Sequence, residues 1–213
     1  MSDSIRSSFD AIAEAYARAF VDELERKPFD RSVLAEFASS LAPGATILDI
    51  GTGAGAHIGR FFADRGFDVT GVDLSAGVIE VARRLNPSMR FEVADFRALP
   101  QRDLSVDAVV AFYSFIYGTD DDIVTGLSEV RRVLCSGGRL LAAVHGALDD
   151  RPDVSTFTEF EGSPVDITMR HTTPATFATI AERAGLGIDE LRVREPYEFE
   201  HKSRRIYLSA RAV

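Results

Sequence analysis

A glycine-rich turn that follows an acidic residue is the strongest chemical signal in the sequence. Residues 47–55 read Ile-Leu-Asp-Ile-Gly-Thr-Gly-Ala-Gly, so Asp49 lies two residues before the first of three closely spaced glycines. Glycine permits a tight turn and lets the backbone approach a ligand closely. With Ala56 in the sixth place, the run also satisfies the fingerprint of dinucleotide-binding folds, in which helix N-terminal amides hold a pyrophosphate. The glycines alone therefore leave the ligand undecided.

Three carboxylates favour a ligand that carries no phosphate. Asp49 would repel a pyrophosphate but would attract S-adenosylmethionine, which carries an ammonium and a sulfonium; it could equally orient the glycine amides through water. Asp73 ends the second predicted strand, where it can accept hydrogen bonds from both ribose hydroxyls. Asp95 ends the third strand, where it can accept the adenine amino group while Phe96 lies on the ring. We expect all three acids to face one crevice at the carboxyl ends of the strands.

Alternating strands and helices are predicted to position these residues. Short apolar runs are typical of buried parallel strands, and the segments between them have helical periodicity. Such alternation predicts a doubly wound, open α/β sheet. The predicted strands lie at 46–50, 69–73, 91–94, 106–112 and 139–145, and the helices at 57–65, 76–85 and 123–134.

The two ends of the chain extend this core. Residues 4–41 show helical periodicity with one interruption, after which Asp30 or Ser32 could cap a second helix. Residues 147–170 contain two prolines, a glycine and several acids, which predicts an irregular segment over the sheet edge. A final helix and two strands joined by a short link, which indicates antiparallel pairing, are predicted at 174–184, 188–193 and 205–212.

Composition bounds the class of protein and its partners. The 213 residues are 46% hydrophobic and 27% charged, which is typical of one soluble globular domain. The net charge of −9 argues against a nucleic-acid partner. A lone cysteine, Cys135, rules out an intrachain disulfide, and the four histidines lack metal-ligand spacing, so no metal is predicted. The sequence shows no signal segment and no membrane-length apolar run, which predicts a cytoplasmic location and no membrane partner.

Six motifs carry a resemblance to a known family. They are Leu48-Asp-Ile-Gly-Thr-Gly-Ala-Gly55, Gly71-Val-Asp-Leu-Ser75, Ala94-Asp-Phe-Arg-Ala-Leu-Pro100, Glu129-Val-Arg-Arg-Val-Leu-Cys-Ser-Gly-Gly-Arg-Leu-Leu141, Arg194-Glu-Pro-Tyr-Glu-Phe-Glu200 and Arg205-Ile-Tyr-Leu-Ser-Ala-Arg211. In this order and spacing the chain resembles the class I S-adenosylmethionine-dependent methyltransferases, particularly their small-molecule branch. The resemblance implies a mostly parallel, Rossmann-like sheet of seven strands, with the last strand inserted antiparallel and a helical N-terminal cap.

Two positions depart from the family pattern. Thr52 stands where the family often has Cys or Gly, and Cys135-Ser-Gly-Gly138 replaces the usual Pro-Gly-Gly. We expect the first change to be tolerated and the second to alter only a turn.

The resemblance implies that S-adenosylmethionine binds in the crevice and that S-adenosylhomocysteine is the product. The glycine turn would contact the methionine moiety, and backbone near Ala111 and Tyr113 would approach its ammonium group. Leu74 would pack against the adenine, and Tyr16 would help to close a lid. The expected cofactor-binding residues are Tyr16, Asp49, Gly51, Thr52, Gly53, Gly55, Asp73, Leu74, Asp95, Phe96, Ala111 and Tyr113.

Catalytic residues are harder to assign, because proximity and orientation can supply much of the rate of methyl transfer. His145 ends the fifth predicted strand and is the candidate general base, although a histidine satisfied by loop backbone would give the same pattern. Tyr113 is the second candidate. Tyr117, His145 and His171 are expected to line the acceptor pocket. His57, which follows the glycine turn, is interpreted as a packing or helix-surface residue.

The predicted function is methyl transfer to an oxygen, nitrogen or carbon atom of a small metabolite, by a monomer or homodimer. Two alternatives stay open. One is a nicotinamide-dependent oxidoreductase, although no tyrosine here is followed four residues later by lysine; the other is a non-catalytic module that binds S-adenosylmethionine. The chain is interpreted as one domain over 1–213, with a cap over 1–42, a cofactor-binding core over 45–145, an acceptor-side insertion over 146–173 and a C-terminal helix and hairpin over 174–213.

Overall fold

The computed structural model describes residues 3–149 and 151–212. Its strands are β1 (Thr46–Ile50), β2 (Asp68–Asp73), β3 (Arg90–Val93), β4 (Val106–Phe112), β5 (Leu134–Gly146), β6 (Asp153–Phe160), β7 (Ser163–His171), β8 (Leu186–Arg194) and β9 (Arg204–Ala212). Its α-helices are α1 (Asp3–Phe20), α2 (Pro28–Ser39), α3 (His57–Ala63), α4 (Ala76–Leu85), α5 (Asp120–Val133) and α6 (Pro174–Arg183), with a 3-10 turn at Glu23–Arg26. In these two ranges, no helix has the length and apolar character needed to cross a membrane.

A seven-stranded sheet forms the centre of the molecule, in the order β3-β2-β1-β4-β5-β9-β8. β1 pairs in parallel with β2 and β4, and β5 lies parallel beside β4. β9 runs antiparallel between β5 and β8. This arrangement confirms the predicted doubly wound fold with an antiparallel last strand. The chain reverses its direction of winding between β1 and β4, and ligands of such sheets bind at this switch point.

Helices cover both faces of the sheet, which explains the continuous apolar sequence of β4. Val109 packs in the core layer that includes α5 and α6, whereas its neighbour Val110 packs in the layer of α2, α3 and α4. Both side chains are completely buried. Successive residues of a strand point to opposite faces, so a strand covered on both faces needs apolar side chains throughout.

The segment 147–170 is not irregular, as the sequence suggested, because most of it belongs to an antiparallel hairpin of β6 and β7. β7 alternates buried Val165, Ile167 and Met169 with polar residues, and the turn has positive φ angles at Glu161 and Gly162. The apolar side of β7 packs on Ile12 of α1. The prolines misled the sequence interpretation, because a two-stranded ribbon consists of edge strands, which tolerate proline.

Two element boundaries also differ from expectation. α2 begins at Pro28, whose missing amide costs nothing in a first turn. Asp30 does not cap it, because its buried carboxylate accepts a hydrogen bond from Arg194 at 2.9 Å. β5 begins at Leu134, because the strand accommodates Gly137 in a left-handed conformation (φ +73°) instead of starting after a turn.

Candidate functional site

A cleft opens at the carboxyl ends of β1, β2 and β4. The turn after β1 forms its floor, and α1 and the segment after β4 contribute to its walls. Because it lies at the switch point of the sheet, it occupies the usual ligand position of open α/β folds. The cleft brings together Tyr16, Asp49, Gly51, Thr52, Gly53, Gly55, Asp73, Leu74, Phe96, Tyr113 and Tyr117, but its lining does not include Asp95, Ala111, His145 or His171.

Positive φ angles shape the floor of the cleft. Gly51 and Gly53 have φ of +68° and +65°, values that residues with a Cβ rarely adopt. The amides of Gly51 and Thr52 donate to the carbonyl of Val72 at 2.8 and 3.0 Å, which ties the turn to β2. A Cβ atom on Gly51 would lie 2.4 Å from Cβ of Ser114. The close approach of the segment after β4 therefore requires glycine at position 51.

Asp73 is fixed by backbone amides where β2 ends. Its Oδ2 accepts a hydrogen bond from the Gly53 amide at 3.2 Å, and its Oδ1 accepts one from the Ser75 amide at 3.0 Å. Burial raises the pKa of this carboxyl to about 6, against the opposing effect of those amides. A carboxylate in this position can accept hydrogen bonds from ligand hydroxyls, and its role as the ribose ligand stays a prediction.

Asp49 connects the glycine turn to the helix that follows it. Its Oδ2 accepts hydrogen bonds from the Thr52 hydroxyl at 2.6 Å and from the Gly59 amide at 3.1 Å. Burial raises the pKa of Asp49 to about 7. Asp49 therefore stabilises the glycine turn by direct hydrogen bonds to Thr52 and Gly59, and it also lines the cleft.

Asp95 is not among the residues that line the cleft, and its role as the adenine ligand stays a prediction. Both of its carboxylate oxygens accept hydrogen bonds from the guanidinium of Arg97, at 2.7–3.2 Å, and Arg97 continues to Asp122 at 2.6 Å. Partial burial acts to raise the pKa of Asp95, but the Arg97 hydrogen bonds hold it below its ordinary value. Ala94 and Phe96 line the cleft instead. The guanidinium of Arg97 has five N–H donors, which explains why the Asp95 carboxylate bonds to Arg97.

Tyr113 stands in a strained conformation at the end of β4. Its φ is +59°, which is uncommon for a residue with a large side chain and is typical of functional sites. Its hydroxyl donates to Asp30 Oδ1 at 3.3 Å, and Lys27 Nζ lies 5.1 Å from its ring centroid. Burial, followed by the negative charge of Asp30, raises the pKa of Tyr113 well above 10. The phenol is therefore held protonated and is unsuited to be a base. Ala111 is completely buried within β4.

His145 and His171 form a cluster with His201 behind the cleft wall, where the ring of His145 packs on that of Tyr113 with centroids 4.9 Å apart. The three ring centroids lie 5.3–5.9 Å apart. His145 Nδ1 is 2.6 Å from Ser203 Oγ, and His171 Nδ1 is 2.6 Å from Asp153. Burial holds the pKa of His145 well below its usual value. In residues 3–149 and 151–212, no group of three or more potential ligands is arranged to hold a metal ion.

Sequence reasoning missed several residues of the cleft wall. Glu23, His57 and Ser114 all line it. Ser114 is buried, and its Oγ has no hydrogen-bond partner among the described residues. His57 stands at the start of α3, next to the glycine turn, and this position was the available signal. Glu23 carried no comparable signal, because it lies in the interruption between two helices.

Comparison with known proteins agrees with this geometry. Residues 47–138 match the family model of a methyltransferase domain. The chain is 31% identical over 147 residues to the demethylmenaquinone methyltransferase of Renibacterium salmoninarum, which covers 68% of this chain and 61% of the relative. It is 31% identical over 134 residues to the malonyl-[acyl-carrier protein] O-methyltransferase of Serratia marcescens, which covers 62% of this chain and 51% of the relative.

A solved structure shows the same fold along nearly the whole chain. It is the 1,6-didemethyltoxoflavin-N1-methyltransferase of Burkholderia thailandensis, with a TM-score of 0.74 at 19% identity, covering 99% of this chain and 88% of that one. The chain spans about half to three fifths of the length of these two curated relatives. The chain contains a methyltransferase domain, as the resemblance to the class I S-adenosylmethionine-dependent methyltransferases predicted.

Proposed function

We propose that this chain binds S-adenosylmethionine in the cleft and transfers its methyl group to a small-molecule acceptor, releasing S-adenosylhomocysteine. The observation that carries the proposal is the Asp73 carboxylate, held by the amides of Gly53 and Ser75 at the edge of a glycine floor. It can accept two hydroxyl donors from a ribose. The buried Asp49 next to it disfavours a pyrophosphate, so a nucleoside with a cationic sulfonium suits this floor better than a dinucleotide.

The cleft lining fits the two ends of such a ligand. Leu74, Ala94 and Phe96 provide an apolar surface for an adenine beside Asp73. On the other side of the floor, Gly51 permits close approach, and the buried Ser114 hydroxyl has no partner within the described ranges. Buried polar groups generally find a partner, and a polar group of the methionine moiety would provide one. We therefore place the adenosine towards β2 and β3 and the methionine towards β1 and β4.

Aromatic residues of α1 would exclude water from the reaction. Tyr16 and Phe20 line the cleft, and both pack on Phe160 of the hairpin, with ring centroids 5.9 and 6.2 Å apart. Phe9 similarly packs edge-on against Tyr117 at 5.7 Å. When bound, the cofactor supplies an electrophilic methyl group. The protein needs mainly to hold an acceptor in line with it and to keep water out.

The acceptor is proposed to be a small molecule, and the chain is proposed to work as one domain in the cytoplasm, as a monomer or homodimer. By their names, the relatives described above methylate demethylmenaquinone and malonyl-[acyl-carrier protein], and the structural neighbour methylates 1,6-didemethyltoxoflavin. The net charge of −9 supports a partner other than nucleic acid.

Calorimetric titration tests the proposal. S-adenosylmethionine and S-adenosylhomocysteine should bind, and NADH should not. Asp73→Asn should weaken the affinity for S-adenosylhomocysteine about 10- to 100-fold, since it removes a charged hydrogen-bond acceptor. The exposed Asp64→Asn is the matched control and should bind like the unaltered protein. Binding of NADH without either sulfur compound would overturn the proposal.

A further inference from the structure

Glu23 and His57 form a polar pair on the wall of the cleft that the cofactor proposal leaves without a role. Glu23 comes from the 3-10 turn and His57 begins α3, and both line the cleft together with Phe20 and Tyr113. Glu23 Oε2 lies 3.8 Å from His57 Nε2. The pair lies on the Tyr113 side, because Lys27, which binds Glu23, also lies over the Tyr113 ring.

Glu23 is held in place by a buried network of ion pairs. Its Oε1 accepts a hydrogen bond from Lys27 Nζ at 2.7 Å, and Lys27 Nζ also lies 3.0 Å from Glu200 Oε1. The network contains three cations and three carboxylates, so its formal charges cancel. Glu23 therefore does not call for a cationic ligand. The six members are Lys27, Arg194, Arg205, Glu23, Asp30 and Glu200.

His57 is an imidazole that the protein leaves without a hydrogen bond. Among the described residues its one polar partner is Glu23, and 3.8 Å is beyond hydrogen-bond range. Burial, followed by the positive charges of Lys27 and Arg60, lowers the pKa of His57 to about 4, against the opposing effect of Asp30 and Asp22. The ring is therefore neutral at neutral pH, and one of its nitrogens has a free lone pair that can accept a hydrogen bond from an O–H or N–H group.

We propose that His57 takes the proton from an acceptor that presents an O–H or N–H group, and that Glu23 orients the imidazole. This inference rests on the proposed function. Since Nε2 faces Glu23, Nε2 carries the resting proton and Nδ1 receives the new one. This division of roles is that of a histidine base oriented by a carboxylate. His145 and Tyr113 do not compete, because one does not line the cleft and the other is held protonated.

The step balances without a further reactant. As the acceptor heteroatom bonds to the methyl carbon, the carbon–sulfur bond breaks and its electron pair stays on the sulfur of S-adenosylhomocysteine. The acceptor proton moves to Nδ1 of His57, and it passes to water after the product leaves. The compensated charge network and the aromatic walls suit an uncharged acceptor, such as an alcohol, a phenol or a neutral amine.

Chemical modification of the cofactor-product complex tests the role of His57 without a known acceptor. Diethyl pyrocarbonate reacts with neutral, accessible imidazoles, and mass spectrometry locates the modified residue. With S-adenosylhomocysteine bound, as calorimetry on the same sample establishes, we expect His57 to react at least about tenfold faster than the buried His145. S-adenosylhomocysteine should change the His57 rate less than about twofold.

Two outcomes would overturn the inference and leave the proposed function intact. Strong protection of His57 by S-adenosylhomocysteine would make it a cofactor contact, and lack of reaction in both states would make it inaccessible. Absence of S-adenosylhomocysteine binding in calorimetry would instead contradict the proposed function.

The orienting role of Glu23 has a spectroscopic signature. In nitrogen-15 spectra of histidine-labelled protein at pH 7.5, His57, assigned by its loss in His57→Gln, should show a single Nε2–H tautomer. Glu23→Gln should give a mixture, because an amide can either donate or accept. Glu14→Gln, which alters an exposed carboxyl paired with Arg84, should leave the spectrum unchanged. An unaltered tautomer in Glu23→Gln would show that Glu23 does not orient the ring.

Discussion

The floor and the wall of the cleft are built on different principles. The floor joins Asp49 to Thr52 and Gly59, and Asp73 to Gly53, through hydrogen bonds that stay between two neighbouring strands and their turns. The wall residue Tyr113 instead donates a hydrogen bond to Asp30, which is held by a buried ion pair with Arg194, 164 residues away in the sequence. The floor is thus determined locally and mainly by backbone conformation, whereas the wall depends on completion of the whole fold. The two should respond differently to substitution.

The largest effect should come from breaking the wall. Arg194 is buried and pairs with Asp30 at 2.9 Å and with Glu200 at 2.6 Å, and both carboxylates are almost completely buried. Arg194→Met would leave two buried carboxylates without their main partner, so the free energy of unfolding should fall by about 3–5 kcal/mol. Urea unfolding measures the loss. Under conditions in which the variant is fully folded, its affinity for S-adenosylhomocysteine should be close to that of the unaltered protein.

A matched control separates burial from charge. Arg183 pairs with Asp121 at 2.9 Å, but both side chains are exposed. Arg183→Met should therefore lower the free energy of unfolding by less than about 1 kcal/mol. Equal losses in the two variants would contradict the view that the wall is held by buried charge.

The second largest effect should come from the floor. Gly51→Ala would place a Cβ 2.4 Å from Ser114 at a φ of +68°, so strain and overpacking together should cost about 3 kcal/mol. Because the floor carries the proposed cofactor site, affinity for S-adenosylhomocysteine should also fall more than about tenfold. Gly44→Ala is the control, with a similar φ of +73° and nothing within 4 Å of the added atom. Gly44→Ala should lower the free energy of unfolding by about 1 kcal/mol and leave the affinity for S-adenosylhomocysteine unchanged. If Gly44→Ala also weakened binding, the contact with Ser114 could not explain the loss of affinity in Gly51→Ala.

The same contrast explains what the sequence could predict. The glycine turn, Asp49 and Asp73 lie within 25 residues, and the order of strands places them in one crevice, so periodicity and spacing were sufficient. The sheet followed from the same pattern. The sequence did not indicate that Asp95 pairs with Arg97 two residues away, because spacing does not tell which of two partners a carboxylate will choose.

The wall had no local signal of this kind. Glu23 meets Lys27 four residues later, but the partner that fixes Lys27 is Glu200. No periodic pattern links residues so far apart. The hairpin of β6 and β7 was missed for another reason, since proline and acidic residues concealed the alternation of Val165, Ile167 and Met169.

Titration of the floor should make the protein less stable as pH rises. The pKa of Asp49 is raised to about 7 and that of Asp73 to about 6, both chiefly by burial, whereas an unfolded Asp titrates near 4. Between pH 4 and 7 the folded state therefore binds more protons, so the free energy of unfolding falls with pH. For Asp73 alone, a shift of about two pKa units corresponds to about 3 kcal/mol in total, of which about 1.4 kcal/mol falls between pH 5 and pH 8. Urea unfolding at pH 5 and pH 8 should show a smaller decrease in Asp73→Asn; the same decrease in both proteins would contradict the assignment.

The smallest effect should come from the residue at which floor and wall meet. Ser114 has a buried hydroxyl without a partner in the described part of the chain, and a Cβ atom on Gly51 would lie 3.4 Å from its Oγ. A buried hydroxyl without a partner is costly, so Ser114→Ala should leave the free energy of unfolding unchanged or raise it by up to about 1 kcal/mol. If the ligand satisfies this hydroxyl, the same substitution should weaken binding of S-adenosylhomocysteine about tenfold. Calorimetry and urea unfolding of this one variant therefore show whether the Ser114 hydroxyl contributes to ligand binding or to stability. A lower free energy of unfolding with unchanged affinity would show that the hydroxyl stabilises the fold and does not contact the ligand.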